Sequence, residues 1–237
     1  MSPPALSASL PAPAAAIALP TVRIGVLALQ GAFIEHIVAL RSLRPAAFSV
    51  EPVEVRTAEQ LAAVDALVIP GGESTAISIV AERTGLVEPL RAFVRTKPTW
   101  GTCAGLILIA DEASGTKEGG QTLLGGLHVR VQRNQFGRQV DSFVQQLAFP
   151  PLPAVHLAAP FAAVFIRAPT ITAILAADSV EILSELDPLA DGTRRIVAVR
   201  QGHLLGTSFH PELTSDNRWH LYFACLAAQI QAKQHQL

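Results

Sequence analysis

Pro98-Thr99-Trp100-Gly101-Thr102-Cys103-Ala104-Gly105-Leu106-Ile107-Leu108-Ile109-Ala110 is the stretch whose reading decides the fold. A Lys97-Pro98 pair opens it and an unbroken apolar run closes it. Between them lies Gly101-x-Cys103-x-Gly105, a thiol with a glycine two residues away on each side. The pattern is that of a nucleophile elbow with sulfur in place of oxygen: a strand ends, the chain turns sharply, and a helix begins at once. Glycines suit both the strained turn and the close approach of neighbouring elements. A cysteine so placed sits at a helix N-terminus, whose partial positive charge favours thiolate over thiol. A buried, inert cysteine fits the same pentapeptide, so the rest of the chain has to decide.

Upstream, strands and helices alternate. Arg23–Leu29 reads as a buried first strand, Gln30-Gly31 as its turn and Phe33–Leu43 as a helix. Val50–Val55 alternates like a second strand, Ala58–Val64 is a short helix and Ala66–Ile69 a third strand. Pro70-Gly71-Gly72-Glu73-Ser74-Thr75 follows, then helices over Ala76–Glu82 and Leu86–Thr96. This order predicts an α/β fold, an open, mainly parallel sheet with helices on both faces. Sites in such sheets form at the carboxyl ends of strands, where both the Pro70-Gly71-Gly72 turn and the Cys103 turn fall.

Downstream the pattern changes. Gly115–Gly126 is loop-like, and strands at Leu127–Gln132, Ala163–Ile166, Ile171–Leu175, Val180–Leu186 and Arg195–Val199 read as antiparallel additions. Phe149–Pro160, with four prolines, reads as a surface insertion. His203–Ser208 is the last strand and Asn217–Gln234 a closing helix, where Cys225 is expected in the core.

The chain has 237 residues, enough for one sizeable core, so residues 23–237 are expected to form a single domain. Residues 1–22 carry no charge, are rich in Ala, Pro, Ser and Leu, and are expected to be a disordered extension; a processed targeting segment is the alternative. A net charge of −1 gives no electrostatic case for nucleic acid or an anionic membrane. No 18-residue apolar run occurs, so no transmembrane helix is expected. Two cysteines do not make a disulfide framework, and a reducing, cytoplasmic compartment fits. No paired Cys or His spacing suggests a metal site.

A thiol nucleophile needs a base. Of seven histidines, His210 stands out because it ends a strand and leads into Pro211-Glu212. In extended backbone, residues i and i+2 project to one side, so Glu212 can accept the far ring N–H of His210 and favour its imidazolium. The N–H of Ala104 and the Gly71-Gly72 turn, Gly72 in particular, are candidate donors to an oxyanion. Taken singly, an ordinary surface turn explains His-Pro-Glu and a plain tight turn explains Pro-Gly-Gly.

Together these features resemble the class I, triad-type glutamine amidotransferases, and more narrowly the family of glutaminase subunits of pyridoxal 5′-phosphate synthase. The resemblance rests on Ile24–Phe33 with Glu35-His36, on Pro70–Thr75 and on Gly101–Gly105. It rests also on Arg133–Phe143, Phe165–Pro169, Gln201-Gly202-His203 and Thr207–Leu213. It implies a flavodoxin-like amidotransferase fold and hydrolysis of L-glutamine by Cys103, His210 and Glu212. It also implies glutamine contacts from Gly71, Gly72, Glu73, Arg133, Ile166 and Arg167. No cofactor is implied, and the ammonia passes to a synthase subunit in a hetero-oligomer. Gln30, Gly31, Glu35 and His36 are the candidate partner-facing residues, although an exposed helix position would equally explain His36. The N-terminal tail, the Phe149–Pro160 stretch and the loop after Ala113 are longer than the family pattern and touch none of these motifs. Two other readings remain open: the amidotransferase subunit of a different synthase, and a non-catalytic or redox-sensing α/β protein with an elbow cysteine.

Overall fold

The computed structural model describes residues 19–115, 121–133, 142–150, 159–188 and 190–234. Expectations for residues 1–18, 116–120, 134–141 and 151–158 lie outside the described residues. In chain order the first half runs β1 (Thr21–Leu27), α1 (Phe33–Ser42), β2 (Ser49–Val55), α2 (Ala58–Ala62), β3 (Ala66–Ile69) and α3 (Ser74–Arg83). It continues through α4 (Val87–Thr96), β4 (Thr99–Thr102) and α5 (Ala104–Ile109). The second half is β5 (Ala110–Ser114), β6 (Leu127–Gln132), β7 (Phe143–Leu147), β8 (Phe161–Phe165), β9 (Thr170–Ile174) and β10 (Glu181–Leu186). β11 (Arg195–Gln201), β12 (Leu204–Thr207) and α6 (Arg218–Gln234) complete it.

Among the described residues the main sheet has the order β2-β1-β3-β4-β12-β11-β9-β6-β5, with β10 also pairing to β11. From β2 to β12 every pairing is parallel. β11, β9 and β6 add on in antiparallel fashion, and β5 closes the edge parallel to β6. Parallel strands are buried on both faces. Val22, Ile24 and Val26 of β1 face Ile37 and Leu40 of α1 and Trp219 and Phe223 of α6. Leu27, with Leu67 and Ile69 of β3, faces Ile77 of α3, Leu90 of α4 and Leu106 of α5. Helix ends follow the local sequence. Thr57 caps α2, its side chain accepting from Gln60 N–H while the Gln60 side chain accepts from Thr57 N–H. Such a capping box is worth about 1 kcal/mol.

The structure departs from the sequence reading at several points. Thr21 and Val22, expected in the disordered extension, begin β1, and Val22 is wholly buried. The apolar run ends as a helix at Ile109, and Ala110 turns out at φ −65°, ψ 147° to start β5. β7 has three consecutive exposed residues, so it shows no alternation; its place comes from pairing with β8 and from Phe143 stacking on Phe165 at 4.8 Å. Phe149, expected in a surface insertion, anchors on Trp219 edge-on at 5.1 Å. Cys225 is half-buried against the α1/α6 cluster, where burial raises its thiol pKa.

Candidate active site

β4 ends at Thr102 and α5 begins at Ala104, which leaves Cys103 alone between them at φ 47°, ψ −101°. Its N–H donates to the Thr207 carbonyl at 2.8 Å, extending the β4–β12 ladder by one bond beyond the strands. That bond holds a backbone conformation that costs an L-residue energy. Both flanking glycines are demanded by space. A Cβ on Gly105 would overlap the Ile69 carbonyl oxygen, and one on Gly101 would lie 2.5 Å from the carbonyl of Gly105. Cys103 is a free thiol, 7% exposed.

β12 delivers the imidazole. Past Thr207 the His210 N–H donates to the Val164 carbonyl at 2.8 Å, and a 3₁₀ turn follows at Pro211–Leu213. His210 Nδ1–H donates to Glu212 Oε1 at 2.7 Å, with the carboxylate fully buried. The i, i+2 partnership expected of extended chain therefore arises in a tight turn, with His210 at φ −107°, ψ 85°. The point where a Cβ on Gly71 would sit is 2.5 Å from His210 Cε1 and 3.4 Å from Cys103 Cβ, so the two side chains flank one spot. Burial alone would lower the His210 pKa. Hydrogen bonds to Cys103 and Glu212, together with their charges, override it and raise the group from 6.5 to about 10.

A cavity of about 310 Å³ opens over this pair, lined by Gly72, Glu73, Cys103, Ala104, Arg133, Ile166, Arg167 and His210. The structure thus brings most of the residues expected at the site to one cavity. Glu212 lies behind it and Gly71 beside it. Ser74 and Ile107 also line it and were not singled out in the sequence, although Ser74 lies in the glycine-turn motif and Ile107 one helical turn past Cys103. Arg167 has φ 46°, and among the described residues it and Cys103 are the two non-glycine positions with positive φ. Ala104 is in the first turn of α5, where backbone N–H groups have no intrahelical acceptor.

Glu73 caps α3, accepting from Thr75 N–H at 3.2 Å and Ala76 N–H at 2.7 Å, and its Oε1 also meets Arg133 at 3.2 Å. Burial, the largest single influence, pushes its pKa up, but the backbone bonds, the Thr75 side chain and Arg133 together outweigh that and lower it overall. Gln30 accepts from the Glu73 N–H at 2.9 Å, and Ala32 N–H donates to the Gly71 carbonyl at 3.0 Å. Gln30 and Gly31 are thus packed on the glycine turn. Glu35 is exposed on α1. His36 does not belong with a surface set: it is 0% exposed, because α6 covers that side of α1. Among the described residues no cluster of three potential metal ligands occurs and no helix is long and apolar enough to cross a membrane. A thiol beside an imidazole whose far nitrogen is held by a carboxylate, under a cavity with two arginines, is suited to acyl transfer from an anionic substrate.

The fold is that of the glutamine amidotransferases. A solved glutamine amidotransferase superimposes with a TM-score of 0.72 at 44% identity, covering 86% of this chain and 98% of that one. The chain belongs to the SNO glutamine amidotransferase family, whose sequence model matches residues 26–228. The pyridoxal 5′-phosphate synthase subunit PdxT of Herpetosiphon aurantiacus is 50% identical over 201 residues, covering 84% of this chain and 97% of that protein. The protein of the same name from Dehalococcoides mccartyi is 49% identical over 207 residues, covering 87% and 97%.

Proposed function

We propose that this chain is the glutaminase subunit of a pyridoxal 5′-phosphate synthase, cleaving L-glutamine to L-glutamate and ammonia. The reading is carried by one observation: a strained, free Cys103 beside His210, itself held by a buried carboxylate, at the floor of a single cavity. Cys103 Sγ attacks the side-chain carboxamide carbon, and the oxyanion is received by the N–H groups of Gly72 and Ala104. His210 donates its proton to the leaving ammonia, which leaves a γ-thioester. Water then attacks with His210 as base, releasing glutamate and the free thiol. Glu212 orients His210. Arg133 and Arg167 suit the α-carboxylate of glutamine, Glu73 suits its α-ammonium, and Ile166 completes the wall. Cys103→Ala is expected to abolish glutamate release while circular dichroism and the thermal midpoint stay near wild type; retained turnover would mean that another nucleophile acts.

Ammonia protonates in neutral water and is then no nucleophile, so it is best handed directly to a synthase subunit, as the names of the relatives suggest. The surface offered to that subunit is the exposed side of α1, with Ile34, Glu35 and Val38 beside the glycine turn. Ala32 N–H links this side to the Gly71 carbonyl and so to the Gly71–Gly72 peptide. The isolated chain is therefore expected to be a weak glutaminase that the synthase subunit activates. Equal rates of glutamate release with and without that subunit would refute the coupling.

A further inference from the structure

His36 lies wholly buried beneath the candidate triad and outside the cavity. Its Nδ1 is 2.9 Å from His220 Nε2 on α6. Its Nε2 is 3.2 Å from Thr102 Oγ1 and 3.4 Å from Glu212 Oε2. Thr102 Oγ1 is the hydrogen-bond partner of His36 Nε2; Glu212 Oε2 is in electrostatic contact with that nitrogen and has no hydrogen-bond partner among the described residues.

The placement of the protons follows from what each alternative would leave unpaired. Both rings are neutral. Burial, then the neighbouring His220 and His210, hold His36 well below 6.5, and burial takes His220 to about 3. Each ring therefore carries one N–H. Donation from His36 Nδ1 would turn a lone pair towards the Glu212 carboxylate and leave His220 with an N–H at Nδ1, where no described group accepts it. A buried donor without an acceptor is rarer and costlier than an unpaired acceptor. In the reverse arrangement His220 Nε2–H donates to His36 Nδ1, and His36 Nε2–H donates to Thr102 Oγ1 with its positive end beside Glu212 Oε2. Only acceptors then go unmet, a lone pair on His220 Nδ1 and Glu212 Oε2, and no donor does.

We propose that His36 is a positioning residue for the glutaminase reaction, its Nε2–H, donated to Thr102 Oγ1, lying against the second carboxylate oxygen of Glu212 while His220 fixes the tautomer that puts it there. This rests on the Cys103–His210–Glu212 reading above. Bonded at Oε1 to His210 and faced at Oε2 by the His36 N–H, the carboxylate is favoured in one orientation, and the imidazole stays aimed at Cys103. Trp100 stands edge-on to both inner rings, 5.6 Å from His36 and 5.2 Å from His220, with its own N–H on Thr207 Oγ1. The titratable groups facing Glu212 are His36 from α1 and His210 from its own turn. Those facing His36 are Glu212, His220 and, farther off, His210.

The test uses the full chain with its synthase subunit for turnover, and the chain alone for the pH dependence of Cys103 alkylation by iodoacetamide. His36→Leu keeps the bulk and removes the donor; His36→Gln places an amide N–H near the same point. Loss of the donor weakens the carboxylate's hold on the His210 imidazolium, which in turn weakens the thiolate. His36→Leu is therefore expected to lower kcat about tenfold or more, with KM for glutamine little changed. Both the acid limb of kcat/KM and the alkylation midpoint should move up by about half a pH unit or more. His36→Gln should recover most of both. If His36→Leu does not fold, His220→Leu takes its place, since it frees His36 to adopt the other tautomer, and the same upward shift is expected. A folded variant of either kind with wild-type kcat and an unmoved alkylation midpoint overturns the inference. Turnover by Cys103→Ala would instead overturn the triad reading beneath it, so the two failures are distinguishable.

Discussion

A methyl group on Gly71 would meet His210 at 2.5 Å from Cε1 and 2.9 Å from Nδ1. The atom in the way belongs to a side chain, so the imidazole swings while the backbone stays. Gly71→Ala is expected to lower kcat/KM about 100-fold or more, because small misplacements of a reacting group are costly. Moving the ring also breaks or strains its buried bond to Glu212, so the thermal midpoint should fall as well, and steady-state kinetics beside a melting curve checks both. The charge on the same imidazole sets a second expectation. In the unfolded chain His210 titrates near 6.5; in the folded protein its value is raised to about 10. A raised value means the folded state holds the proton more tightly. The stability this contributes is complete below 6.5 and is lost as pH rises through about 10. The imidazolium needed to protonate ammonia therefore survives across neutral pH. Glu212→Gln removes one of the groups that raise it, so the alkaline limb of kcat/KM should move down towards neutrality. A limb that stays in place would show that Cys103 alone supports the imidazolium.

Two glycines show how differently elements constrain the chain. At Gly105 a side chain would strike the backbone oxygen of Ile69, so α5 could not lie against β3. At Gly85, between α3 and α4, φ is +70° and nothing lies within 4 Å of a Cβ. Gly105→Ala is thus expected to destabilise by about 3 kcal/mol, an overpacking cost. Gly85→Ala should cost about 1 kcal/mol, the backbone cost alone. Urea melts of the two variants test the ranking, and a milder effect at Gly105 would contradict the packing of α5. The same contrast explains what the sequence could and could not disclose. The elbow was legible because its requirement is local: glycine, thiol and glycine within five residues. β1 and β3 were legible because they are buried and largely apolar, and β2, at the sheet edge, because its residues alternate. β7 was not, since its placement depends on β8 and its own exposed residues carry no pattern. His36 was misplaced on the surface for a different reason. Its spacing from Phe33, Ile37 and Leu40 puts it on the apolar face of α1, but nothing local discloses its buried partners, Thr102, Glu212 and, on α6 184 residues away, His220.

That long-range contact links the site to the stability of the whole molecule. His36 and His220 join α1, α6 and the β4 end, and both are folded in as neutral rings. Their folded values are depressed below 6.5, so the unfolded chain binds protons that the folded chain refuses. Their contribution to stability is complete above 6.5 and falls as pH drops from there towards about 3, the value for His220. Within that window each ring steepens the loss by up to about 1.4 kcal/mol per pH unit. Carboxylates elsewhere also titrate there, so the informative quantity is a difference between proteins. Chemical denaturation at pH 7, 6 and 5 should show wild type losing stability more steeply than His220→Leu, even if the variant is the less stable at pH 7. Parallel pH profiles for the two would mean that the His220 ring accepts its proton inside the fold, and the neutral His36–His220 pair would have to be abandoned.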